Sequence, residues 1–156
     1  MFCPMRRKKQ ALSPQQCEQV LQNEPRGVLS VLGEDGYPYG IPMDHWYADG
    51  KLYFHGAKSG HKIDAIRACP KVSYCVCDRG TPKEGDWSLY FKSVIVFGTI
   101  RTVEEPEAIR RICTGLCRNF TQDEAYLERE LRLGEKSVLC LELTPEHISG
   151  KLVHEA

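Results

Sequence analysis

The chain has 156 residues, with 21 Lys+Arg set against 21 Asp+Glu and 42% hydrophobic residues. That length suits a single domain over residues 1–156, and the balanced charge excludes the basic footprint of a nucleic-acid binder. No apolar stretch approaches the ~20 residues of a membrane span, and no apolar core follows the basic run Arg6 to Lys9, so the expectation is a cytoplasmic protein without nucleic-acid or membrane partners.

Ser13-Pro14-Gln15-Gln16 combines an N-cap serine, a proline at the first helical position and a glutamine at the third. The pattern predicts a helix to about Asn23, with Cys17, Val20 and Leu21 as its buried stripe. From Val28 to Gly56 the chain reads as three successive strands in a meander, joined at Asp35-Gly36 and Asp49-Gly50, two Asp-Gly pairs suited to positive φ. Within the second of these, Ile41 to Trp46 reads as strand. Pro42 cannot donate to a ladder, which suits an edge or a bulge.

Lys51 to Val72 is the most informative stretch. A strand ending in His55-Gly56 meets a helix whose first turn carries His61 and Lys62. The first amides of a helix lack partners and its dipole favours an anion there, so this end is suited to phosphate. Gly56 and Gly60 permit close backbone approach, Ser59 is placed to cap the helix or bond a phosphate oxygen, and Lys62 supplies a point charge.

Lys71 to Asp78 predicts a fourth strand and Leu89 to Val103 a fifth, with the Gly-, Pro- and charge-rich loop Arg79 to Trp87 between them. Trp87 and Tyr90 are placed either to stack on a ligand or to pack that loop. Helices are predicted over Pro106 to Phe120, with Ile109, Ile112, Cys113, Leu116 and Phe120 on one face, and from the cap Thr121-Gln122-Asp123-Glu124 as far as Gly134. Ser137 to Leu143 is the last strand, ended by Pro145. Hairpin connections favour a small antiparallel barrel over a parallel sheet. The eight cysteines lie mostly inside predicted elements and read as reduced thiols, and their spacings give no metal site.

The run Met5-Arg6-Arg7-Lys8, then DGYPYGIPM, LYFHGAKSGHK, Cys69-Pro70-Lys71-Val72, SVIVFG and HISGK, in this order, resembles the FMN-binding split barrels similar to pyridoxamine 5'-phosphate oxidase. Within them the chain is most similar to the nitroimidazole-resistance, reductase-like branch. The resemblance implies a mostly β fold with flanking α-helices, a six-stranded antiparallel split β-barrel. It also implies an FMN cofactor at the subunit interface of a homodimer, and a small-molecule substrate.

Carried onto this sequence, the resemblance makes His61 and Lys62 phosphate ligands and puts Ser59 and Gly60 on the approach to the phosphate. It lays Pro42, Met43, Asp44 and His45 along the ring edge. His55 and Gly56 fall beside the ribityl chain or ring, with His55 as the catalytic candidate, and Ser93 reaches the flavin from the second subunit. A histidine at position 61 leaves the phosphate site one permanent charge short of the Arg-Lys pair of the oxidases proper. The chain also has no arginine after Arg132, so pyridoxal phosphate synthesis is not expected. The implied activity is FMN-dependent reduction of electron-poor compounds such as nitro-aromatics. The alternatives are a flavin- or haem-holding sensor or store without catalysis, and a deazaflavin-dependent reductase.

Overall fold

The computed structural model describes residues 1–134 and 137–154. After a short 3-10 turn at Lys8–Gln10, helix α1 (Pro14–Asn23) begins with the expected capping box: Ser13 Oγ accepts from Gln16 N, and the Gln16 side chain accepts from Ser13 N. Cys17, Val20 and Leu21 are buried as predicted. There follow β1 (Arg26–Leu32), β2 (Pro38–Asp44), β3 (Trp46–Ala48), β4 (Lys51–Gly56), α2 (His61–Ala68) and β5 (Lys71–Cys77). The chain then forms β6 (Thr81–Pro82), β7 (Leu89–Val103), α3 (Pro106–Arg118), α4 (Glu124–Gly134) and β8 (Leu139–Val153).

Six long strands, β1, β2, β4, β5, β7 and β8, carry an antiparallel sheet ordered β2-β1-β5-β7-β8-β4-β3, with β6 paired to the start of β7. The two edge strands, β2 and β3, are separated along the chain by His45 alone. The sheet must therefore curl until its edges meet at that residue, which is the split barrel. The expected meander is corrected here: the second strand breaks at His45, its first part pairing with β1 and its second with β4. Asp49 and Gly50 both take positive φ, at 52° and 72°, and close a two-residue hairpin. At the first turn only Gly36 is left-handed, because that loop is longer, with Gly33 N bonded to the Tyr37 carbonyl.

Strand β8 runs on through Pro145, contrary to the sequence expectation. The register against β7 shifts there, with Phe97 opposite His147 and Gly98 opposite Pro145. This bulge absorbs a residue with no N–H to give. Gly98 is required at the same place, because a Cβ would collide with the Thr144 carbonyl oxygen.

Alternation along the strands sends one set of side chains into the barrel, among them Leu29, Phe54, Tyr74, Val94 and Leu141, each fully buried. Helices α1 and α2 add Leu21, Ile63 and Ile66 to this core. A second core lies outside the sheet, where α3 and α4 bury Ile112, Leu116, Leu127 and Leu131 against Tyr53, Val103 and Cys140. Close approach of α3 depends on Gly115, where a Cβ would meet the Trp46 ring. Phe120 falls beyond the end of α3 and is exposed, a departure from the predicted apolar face. No helix among the described residues is long and apolar enough to cross a membrane.

Candidate functional site

Four residues separate β4 from α2, and the last of them, Gly60, adopts φ 125° and ψ 171°. That backbone is open to glycine and strained for other residues. The amides of Ile63 and Asp64 both bond the Gly60 carbonyl, so the amides just before them at the helix start have no intrahelical acceptor. No side chain caps this end. Ser59 therefore does not cap α2, and its hydroxyl is left at the exposed approach to the helix.

Lys62 is half-buried in the first turn and burial alone lowers its pKa. Its Nζ lies 2.9 Å from where a Cβ on Gly56 would sit, so the glycine is what admits the amine. Among the described residues Lys62 makes no ion pair. A partly desolvated ammonium beside unpartnered helix amides is an arrangement that an anion completes. His61 points the other way. Its ring packs against Tyr39 at 4.8 Å between centroids, with Nε2 beside Gly33. The two basic residues thus flank the first turn rather than meeting at one point, and Tyr39 and Gly33 enter the site without having been legible from the sequence.

The strand expected along a ring edge divides its side chains. Pro42 lies on the edge strand β2, as its missing N–H suggests. Met43 is buried in the barrel. The Asp44 carboxylate takes two bonds from the Arg26 guanidinium, at 2.6 and 3.3 Å. His45 is 1% exposed; Nε2–H donates to the Leu21 carbonyl at 2.7 Å and Nδ1 lies 2.9 Å from the Tyr74 hydroxyl oxygen, whose proton is directed at the Met43 carbonyl. Burial lowers the His45 pKa and keeps the ring neutral. Both nitrogens face partners inside the protein, so the His45 ring holds the corner of the barrel.

His55 keeps solvent access on the outer face of β4. Packing around it lowers its pKa, with Asp44 acting in the opposite sense and Lys62 in the same one. His55, Gly56, Asp44 and Lys62 therefore belong to one electrostatic neighbourhood. Ser93 stands apart. It sits on β7 between Cys77 and Lys151, on the outward face with Ile95 and Phe97. A cavity of about 690 Å³ lies between Lys58 and the start of α3, and Lys62 is not among the described residues that line it.

The family model of pyridoxamine 5'-phosphate oxidase matches residues 13–152. The chain belongs to this family. A candidate 5-nitroimidazole antibiotic resistance protein of Bacteroides thetaiotaomicron shares the fold, with 18% identity, a TM-score of 0.77, and coverage of 94% of this chain and 90% of that one. An FAD-binding protein of Mesorhizobium loti is 26% identical, with a TM-score of 0.67 and coverage of 92% and 96%. The FAD and haem binding protein of Mycobacterium smegmatis is 21% identical, with a TM-score of 0.74 and coverage of 93% and 73%. No curated protein matches the chain. The family member described here thus has the split barrel and, at the start of α2, a site suited to an anion.

Proposed function

We propose that this family member is an FMN-dependent oxidoreductase that reduces small electron-poor compounds such as nitro-aromatics, working as a homodimer with the cofactor at the subunit interface. The observation that carries this reading is Lys62, a half-buried amine with no ion pair among the described residues, set beside Gly56 and the open amides of α2. In this reading Lys62 and those amides hold the phosphate. His61 adds a second cation when protonated, and Ser59 and Gly60 line the approach. Gly56 and His55 lie beside the ribityl chain, and the edge backbone at Pro42 to Asp44 borders the ring. Bound flavin supplies hydride chemistry. The residues of the chain bind and orient it and keep water from its face.

A dimer is supported by the outer face of the sheet. Val28 pairs with Cys75, which pairs with Ile95, and Ser30, Ser73 and Phe97 follow in the next row. Val28, Leu32, Ile95 and Phe97 are each 38–48% exposed, apolar side chains interspersed with serines on a surface of the kind that another subunit covers. Ser93 lies on this same face, so a covering subunit would receive it. FAD in place of FMN is a second reading, favoured by the 26% identical FAD-binding protein.

Titration of the apo-protein with FMN and with FAD, read by quenching of flavin fluorescence and by solution mass, tests the binding step. One flavin per chain in a dimer supports the proposal, whereas no saturable binding by either overturns it. Photoreduced protein mixed anaerobically with a nitroimidazole then tests the reaction. Reoxidation in step with nitro-group loss supports a reductase, and flavin that stays reduced leaves the protein a holder of its cofactor.

A further inference from the structure

Beneath α3 and α4 is a small cavity of about 170 Å³, whose lining includes His55, Cys113, Cys117 and Glu130. At its floor the Cys113 and Cys140 sulfurs are 3.9 Å apart, one on α3 and the other on β8. Cys140 is fully buried and Cys113 nearly so. Cys140 is also the cross-strand partner of His55, and Cys117 follows Cys113 by one helical turn. None of these three cysteines is in a disulfide. The cavity has room for a molecule the size of a peroxide, since one water occupies about 30 Å³ of liquid.

Bonded sulfurs sit about 2.0 Å apart, and rotation of two short side chains already in contact closes the difference. The Cys75 and Cys77 thiols are also neighbours, hydrogen-bonded and not bridged. They lie two apart on one strand, however, where Cα atoms are about 6.6–6.8 Å apart, at the far limit for a disulfide. Among the described residues no three His, Cys, Asp or Glu side chains gather to hold a metal ion. A dithiol is the chemistry that the cluster around Cys113 offers.

We propose that Cys113 and Cys140 form a redox modification site, a dithiol that closes to a disulfide under peroxide and ties α3 to β8 behind His55. Peroxide takes an oxygen atom onto the Cys113 sulfur, which becomes a sulfenic acid as one water leaves. The Cys140 sulfur then attacks that sulfur, the S–S bond forms as the S–O bond breaks, and the Cys140 proton leaves with the displaced hydroxyl as a second water. Overall two thiols and one peroxide give one disulfide and two waters. Cys113 is the first to react because it lines the cavity, while Cys140 is fully buried behind it. The link joins positions 27 apart in sequence, so it restricts the unfolded chain and raises the melting temperature by about 5–10 °C. None of this depends on flavin.

Treatment of the full chain with hydrogen peroxide, followed by intact mass and peptide mapping without reductant, tests the proposal. The expected result is a chain two hydrogens lighter with Cys113 linked to Cys140, the raised melting temperature, and reversal of both by dithiothreitol. Cys117→Ser should leave the link in place. Cys140→Ser should strand the sulfenic acid on Cys113, where dimedone traps it. Absence of the Cys113–Cys140 peptide from the wild-type digest, or links only at Cys75–Cys77 or between chains, overturns the proposal. Because the wild-type map decides this, a variant that fails to fold does not obscure it.

Discussion

Lys62 and His45 show how one residue type or position takes its role from surroundings. Lys62 is an amine that burial disfavours as a cation, and a bound phosphate returns the lost solvation as charge-assisted hydrogen bonds worth roughly 1.5–3 kcal/mol. Lys62→Ala should therefore weaken flavin binding roughly 10–100-fold while leaving the melting temperature close to that of the parent. Equal affinity in a side-by-side titration would place the phosphate elsewhere. His45 is the opposite case, a polar ring spent inside the protein. Its pKa is lowered from 6.5 by burial, so the unfolded chain takes up a proton that the folded one refuses. Stability is then complete above about pH 6.5 and declines as pH falls toward the lowered folded value. His45→Gln should lose part of the folding free energy, about 1–3 kcal/mol, and should also flatten that acid decline. Denaturant melts across pH 5–8 compare the two slopes, and parallel slopes would remove His45 as the source.

At the scale of elements, local signals and tertiary demands separate cleanly. Helix α1 was legible in full, because Ser13, Pro14 and Gln16 satisfy its first turn without reference to anything distant. The limits of β5 and β7 followed from alternation, which the pleat converts directly into an inward and an outward face. Pro145 was misread because only the partner strand tells that the ladder is bulged at this position. The glycine facing it carries a testable cost: Gly98→Ala puts a methyl group against the Thr144 carbonyl oxygen, which neither backbone is free to yield. A loss of at least about 2 kcal/mol in denaturant melts is expected. A neutral result would mean that the bulge relaxes.

For the whole molecule, the consequence of a curled sheet is an outer face that the helices cover in part. Helices α3 and α4 shield β4, β8 and the end of β7, while the face of β1, β5 and the first half of β7 keeps Val28, Leu32, Ile95 and Phe97 exposed, with Phe2 packed against Phe97. Phe97→Asp places a charge in the middle of that surface. Sedimentation should show the parent as a dimer and the variant as a monomer, with flavin binding weakened along with it, since Ser93 is on the same strand and face. Retained flavin affinity in a monomeric variant would put the whole site within one chain.

Sequence alone determined what short-range physics controls: the capped start of α1, the spans of β5 and β7, and the Asp49-Gly50 turn. Each rests on backbone preferences and hydrogen bonds among residues close along the chain. Tertiary structure alone decided what depends on neighbours from elsewhere. It broke the second strand at His45 because Leu21 and Tyr74 supply partners for the ring. It turned His61 toward Tyr39 and Lys62 toward Gly56, and it brought Cys113 to Cys140. Those outcomes follow from how the sheet curls, and no spacing of residues along the chain encodes which side chains a curled sheet makes adjacent.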